Sequence, residues 1–188
     1  MAPAADIRPG STGQADATTP TGPIPLLLII GPPSVGKSSA ARQVCRLLED
    51  AGIRYAYADR DEFGVDGLLH ADPLDDLRRI LESRVASGAQ RLVVAWRIDS
   101  REKLVRFRAA LPWAAITVCR LRAETEELMD RIAAEQESFQ ALHLQAMTRE
   151  MVPRLDGQSP EDFLLETDHS SPYAVAVGAF RHWATSPR

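Results

Sequence analysis

Eight consecutive residues, Gly31-Pro32-Pro33-Ser34-Val35-Gly36-Lys37-Ser38, satisfy the pattern G-x-x-x-x-G-K-[ST] in full. No other stretch constrains this chain as much. The pattern describes a strand-to-helix loop that wraps phosphate groups. Each residue type has a physical reason. Gly31 and Gly36 let the backbone curl so that its N–H groups face inward. The helix that follows aims the positive end of its dipole at the same point. Lys37 sets an ammonium between β- and γ-phosphates, and the Ser38 hydroxyl is placed to ligate Mg²⁺. The loop with Ser39 behind it is therefore expected to contact a nucleotide. Two other readings stay open: a Gly-rich turn that happens to contain Lys-Ser, and a loop that binds nucleotide but transfers nothing.

The flanks agree with a strand before the loop and a helix after it. Leu26-Leu27-Leu28-Ile29-Ile30 is a continuous apolar run, as in a strand buried on both faces. Ala40, Val44, Leu47, Leu48 and Ala51 recur at helical spacing, and Gly52 stops that helix. Further strands are predicted at Arg54–Ala58, Arg91–Trp96, Ala114–Cys119 and Phe163–Glu166. Helices are predicted at Pro73–Ser87, Ser100–Ala110, Ala123–Glu135, Ser138–Val152 and Pro172–Trp183. Leu74, Leu77, Ile80, Leu81 and Val85 form the inner stripe of the Pro73 helix, and Ser100 is an N-cap. Strands alternating with helices predict a parallel sheet covered on both faces.

Residues 1–23 are rich in Ala, Pro, Gly, Thr and Ser. They offer too little apolar surface to offset the entropy of ordering, so a flexible tail is expected, with one domain over 24–188. The chain of 188 residues carries a net charge of −4 and no basic run, so no duplex nucleic-acid partner is indicated. The run Leu26–Ile30 is too short to span a bilayer, and no basic, then apolar, leader is evident. Cys45 and Cys119 stand outside any CxxC or metal-ligand spacing and are expected to be buried, reduced thiols, which fits a cytoplasmic setting. The histidines at 70, 143, 169 and 182 are scattered and suggest no metal set. Trp96, Trp113 and Trp183 are read as core residues.

From Ile24 to Trp183 the chain resembles the small P-loop kinases of metabolites and nucleotides: shikimate-kinase-like, gluconate-kinase-like, adenylylsulfate-kinase-like and chloramphenicol-phosphotransferase-like proteins. The resemblance implies an α/β, three-layer P-loop NTPase fold with a five-stranded parallel sheet in the order 2-3-1-4-5. It also implies Mg²⁺ and ATP as cofactors, with transfer of the γ-phosphate to a hydroxyl of a small-molecule acceptor.

Other motifs carry that resemblance further. Asp59-Arg60-Asp61 follows the second strand, where relatives use a D-x-D. By resemblance Asp59 holds Mg²⁺ through water and touches the acceptor, while Asp61 hydrogen-bonds or deprotonates the acceptor hydroxyl. A carboxylate at that strand end lies in the crevice where a doubly wound sheet places ligands. The competing reading is a solvated acidic turn. Arg120-x-Arg122 and then Arg131 follow the fourth strand. Relatives use an arginine at the Arg131 place to begin a lid over the nucleotide; the alternative is a helix arginine paired with Glu127 or Glu135. Thr167, Asp168 and Pro172 resemble the loop lining an adenine pocket, and Ser170 or Ser171 also reads as an N-cap with Pro172 in the first turn.

One departure stands out. Where relatives carry a second lid arginine, this chain has Glu135, Gln136 and Glu137. Arg149 or Arg154 is left to replace it, or to bind the acceptor as an arginine does in shikimate kinases. Asp99 is a further candidate for the Mg²⁺ shell or simply part of a helix start. A nucleotide-binding or slow NTPase regulatory module is the rival reading. No N-K-x-D guanine motif occurs. The reading as a whole expects a small-molecule acceptor, no membrane, and a monomer or homodimer.

Overall fold

The computed structural model describes residues 22–63, 73–135 and 138–185. Most of the expected N-terminal tail, His70, Gln136 and Glu137 lie outside the described residues.

The continuous apolar run becomes β1, Ile24–Ile30, extended by two residues at its start. It lies in the middle of a five-stranded sheet with β2 (Tyr55–Asp59), β3 (Arg91–Ala95), β4 (Ala114–Arg122) and β5 (Phe163–Glu166). The strand order is β2-β3-β1-β4-β5, and every pairing is parallel. Leu26 pairs with Leu92 on one side and Ile116 on the other. This is the expected three-layer fold and order.

Alternation along the strands sorts the core into two layers. Leu26, Leu28 and Ile30 face a layer with Leu77 and Leu81 of α2 (Pro73–Ala86) and Phe107 of α3 (Arg101–Ala110). Leu27 and Ile29 face the other layer. There they meet Val44 and Leu48 of α1 (Lys37–Asp50), Leu128 of α4 (Thr125–Glu135) and Ala176 of α6 (Pro172–Thr185). Ile80, assigned by spacing to the inner stripe of α2, is instead 39% exposed, because Leu77 and Leu81 occupy the line that meets the sheet. Ser100 caps α3 as expected, its hydroxyl accepting from the Lys103 N–H. Both cysteines are free and buried, and burial, with Glu49 nearby, pushes the Cys45 thiol up to about 12. Trp96 and Trp183 are buried, and Trp113 packs partly buried against the first layer.

The largest departure is α5, Ser138–Gln158, which runs through Pro153 to a point six residues beyond the expected end. Proline removes one helical hydrogen bond and crowds the preceding turn. Two tertiary contacts offset that cost. Met151 and Leu155 are buried in the first core layer, and Asp156 receives a hydrogen bond from Arg120 at the end of β4. Leu155→Ala should therefore cost roughly 2–5 kcal/mol by cavity formation. Urea unfolding reads this directly, and a loss below about 1 kcal/mol would mean that the helix end does not depend on that contact.

Candidate functional site

The phosphate loop leaves the carboxyl end of β1 and enters α1 at Lys37. Its two glycines are both required by geometry. Gly31 has φ 148°, and a Cβ there would lie 2.6 Å from the Leu121 carbonyl oxygen. Gly36 has φ 94° in the left-handed region and stands at the N-cap of α1. Ser34 shares that region at φ 53°. Such left-handed residues turn successive N–H groups toward one point, which suits an anion. Pro32, Pro33 and Val35 are buried and hold the loop against the fold.

The loop opens on a cavity of about 380 Å³. Lys37, Ser38, Ser39, Asp59 and Asp61 all line it. The sheet order explains the convergence: β2 and β1 flank β3, so the D-x-D and the loop emerge from the same edge of the sheet, one strand apart. The turn after β2 is a 3₁₀ turn, Arg60–Phe63. Asp59 is 3% exposed. Its carboxylate accepts from the Tyr57 hydroxyl at 2.6 Å and from the Asp61 backbone N–H at 3.1 Å. Asp59 therefore shapes the turn that presents Asp61, whose own side chain is largely exposed. Lys37 folds back so that its ammonium donates to the Pro32 carbonyl at 2.8 Å. Burial pulls this ammonium down to about 8. Asp61 opposes the shift, Arg97 adds to it, and Asp59 opposes it further.

Arg97 is the residue that reading the sequence missed. It lies just past β3, lines the same cavity, and its guanidinium stands 3.7 Å from the Asp61 carboxylate. The available signal was its place at the carboxyl end of the strand that neighbours β1.

The proposed lid residues are distributed differently. Arg131 pairs with Glu127 at 3.0 Å and donates to the Thr167 hydroxyl at 3.4 Å and the Thr167 carbonyl at 3.3 Å. It thus joins α4 to the loop after β5 and does not line the phosphate cavity. Asp168 accepts from the Glu124 N–H, which ties the loop after β5 to the residue just before α4. The Ser171 hydroxyl accepts from Ala174 N–H, so Pro172 occupies the first turn of α6 behind an N-cap. Arg131, Thr167, Asp168 and Pro172 therefore gather beside the loop after β5, and all but Pro172 are tied to one another, to α4 or to the residue before it. Arg149 is exposed on α5 and lines neither this cavity nor its neighbour. Arg154 lies 3.8 Å from Asp99, whose same oxygen is 2.6 Å from Lys103. Asp99 does not line the phosphate cavity. Arg120 and Arg122 are tied to Asp156, and Arg122 also to Glu166, so they serve the α5–sheet junction. Glu135, standing where a cation was expected, lines the cavity and accepts a hydrogen bond from the Ser34 hydroxyl at 2.9 Å.

A loop of this pattern at the end of a central strand, in a 2-3-1-4-5 parallel sheet, defines the P-loop kinase-like fold. Solved structures agree. The chain is similar to the tunicamycin resistance protein of Deinococcus radiodurans, with TM-score 0.60 and 16% identity over 85% of this chain and 95% of that one. It is also similar to a sugar kinase from a Janibacter species, with TM-score 0.62 and 16% identity over 88% and 97% of the two chains. A gluconokinase from Sinorhizobium meliloti matches with TM-score 0.56 and 14% identity over 87% and 93%. By sequence, no family model and no curated protein matches. Among the described residues, no helix is long and apolar enough to cross a membrane.

Proposed function

We propose that this chain is a phosphotransferase that moves the γ-phosphate of ATP to a hydroxyl of a small molecule. The observation that carries this reading is the meeting of Lys37, Ser38, Asp59, Asp61 and Arg97 on one cavity. The loop N–H groups and Lys37 bind the phosphates of ATP. Asp61 accepts the proton of the acceptor hydroxyl as its oxygen bonds to the γ-phosphorus and the bond to the β-phosphate oxygen breaks, releasing ADP. Arg97 supplies the cation that the lid does not, close to where charge gathers on the transferring group. Arg131 and the loop from Thr167 to Pro172 border the place for the base.

Mg²⁺ fits the residues present. Among the described residues no three acidic, His or Cys groups form a metal cage. Ser38 and Asp59 line the phosphate cavity together, and such oxygen donors suit an ion that takes few protein ligands and keeps waters and phosphate oxygens. Ser38 would hold it, and Asp59 would support it through water, since each Asp59 oxygen keeps lone pairs beyond its one hydrogen bond. When bound, the ion neutralises charge on the phosphates. The setting this reading fits is the cytoplasm, with a single chain or a homodimer as the working unit.

The test is ADP release from ATP·Mg²⁺ by the full chain, with and without a panel of hydroxyl acceptors. A rise on adding one acceptor supports the reading. A slow rate that no acceptor changes supports the rival, a nucleotide-binding or slow NTPase regulatory module. Glu135 at the phosphate loop is the observation that favours that rival, because a carboxylate there opposes ATP. On either reading, Glu135→Gln should tighten ATP binding by about three- to tenfold, as removal of a like charge near phosphate does. Isothermal titration decides it, and unchanged or weaker binding would show that Glu135 does not oppose the nucleotide.

The lowered Lys37 pKa adds a pH effect. Well below pH 8 the ammonium is charged in the free protein, and ATP affinity should hardly change from pH 7 to 7.5. Above that value the free protein loses the proton that ATP requires, so affinity should fall by up to about tenfold per pH unit. At pH 8.5, titrations in buffers of different ionisation enthalpy should show net proton uptake on binding. Proton release, or a flat affinity to pH 9.5, would contradict this.

A further inference from the structure

We infer that Tyr57 is a positioning residue for the metal side of the site: its hydroxyl orients the Asp59 carboxylate and so sets how tightly ATP is held when Mg²⁺ is present. The inference deepens the phosphotransferase reading and rests on it for the place of Mg²⁺ beside Ser38 and Asp59.

Strand β2 reads Tyr55-Ala56-Tyr57-Ala58-Asp59. Alternation sends the two alanines to the layer of α2 and α3, where both are buried. The two tyrosines pack on the other side, in the layer of α1. Asp59 shares that side with them, two positions beyond Tyr57. Its neighbour across the ladder, Ala95, belongs to the same layer and lines the phosphate cavity. Ser38 stands in the first turn of α1, the helix this layer contains.

The two tyrosine hydroxyls are used differently. Tyr55 donates to Glu49 near the far end of α1 at 2.6 Å, which joins strand to helix. Tyr57 donates at 2.6 Å to Oδ2 of Asp59, within its own strand. That bond joins no two elements. What it does fix is a carboxylate. Oδ1 of the same group accepts from the Asp61 N–H at 3.1 Å, so a donor holds each oxygen and the plane of the carboxylate is set. A hydroxyl donating to a carboxylate at this distance is a short, charge-assisted bond. An ionised carboxylate has about four lone-pair sites, so about two stay open after these bonds, in directions that the two donors decide. Asp59 is 3% exposed, and its open lone pairs belong to a group that lines the phosphate cavity. Groups that support a metal depend on such partners for their orientation, and removal of one usually costs about 10- to 100-fold in metal affinity or activity.

The test measures ATP affinity of the full chain by isothermal titration, once in EDTA and once with excess Mg²⁺. Tyr57→Phe removes the hydroxyl and keeps the ring. Its affinity in EDTA should stay within about twofold of wild type, while its affinity with Mg²⁺ should fall about tenfold, the lower end of that range because Asp59 acts through water. Its thermal melt should lie within about 5 °C of wild type, as loss of one hydrogen bond implies. Because Tyr57 acts through Asp59, adding Tyr57→Phe to Asp59→Asn should lower the Mg²⁺-dependent gain by no more than about twofold further. Equal losses in both arms would overturn the proposal, as they would mark Tyr57 as structural. Unchanged affinity with Mg²⁺ would overturn it too, as would full additivity with Asp59→Asn or a wild-type chain that gains nothing from Mg²⁺. Acceptor-dependent ADP release by the wild-type chain is read separately. Its absence, with the Mg²⁺ result intact, would sink the phosphotransferase reading and leave the role of Tyr57 standing.

Discussion

Lys37→Ala should abolish phosphoryl transfer and weaken ATP binding while the fold survives. The ammonium is the cation closest to the loop, drawn out of solvent and held 2.8 Å from the Pro32 carbonyl. In that desolvated setting its charge acts on phosphate far more strongly than it would in water. Losing one such group from a site that stabilises developing charge costs roughly 10²–10³ in rate. The cost to the fold is small, because the side chain contributes a single hydrogen bond and no core packing. The variant should also lose the proton uptake at pH 8.5 described above. Isothermal titration with ATP·Mg²⁺ and a thermal melt together decide the matter. Wild-type affinity and turnover in the variant would remove the loop from the mechanism. A melt lowered by more than about 8 °C would show that Lys37 also holds the fold.

Asp61→Asn should lower kcat by roughly 10²–10⁴, the usual worth of a general base. Asparagine keeps the shape of the side chain and its acceptor oxygen but cannot take the proton. Binding of ATP should change only a few-fold. The Asp61 backbone N–H, not its side chain, anchors the turn to Asp59, so the turn should persist in the variant. Asp59→Asn should behave differently. Asp59 is buried against Tyr57 and the Asp61 N–H, so its replacement disturbs the turn itself and should make turnover depend more steeply on Mg²⁺. An acceptor from the panel is needed first. Turnover of that acceptor at the wild-type rate by Asp61→Asn would reduce the acidic cluster to a solvated turn.

Much of the fold was legible in the chain because it depends on local patterns. An apolar run as long as β1 is buried wherever it lies, and strands alternating with helical stripes allow few arrangements other than a covered parallel sheet. The phosphate loop was legible for a related reason: its chemistry needs eight neighbouring residues and nothing from elsewhere. The strand order, though, came from resemblance to known kinases and not from periodicity, since a pattern of burial names a face but not a neighbour. The same limit explains what only the tertiary structure decided. Arg97 enters the phosphate cavity because β3 lies between β2 and β1. Arg131 turns to Glu127 and Thr167 because α4 packs beside the loop after β5. Glu135 reaches Ser34, 101 positions earlier, and α5 passes through Pro153, because partners distant in sequence compensate locally unfavourable choices. Sequence alone determines which side chains are available to a site like this. The packing of strands and helices determines which of them meet, because the energies that bring Ser38, Asp59 and Arg97 around one space belong to contacts among three elements.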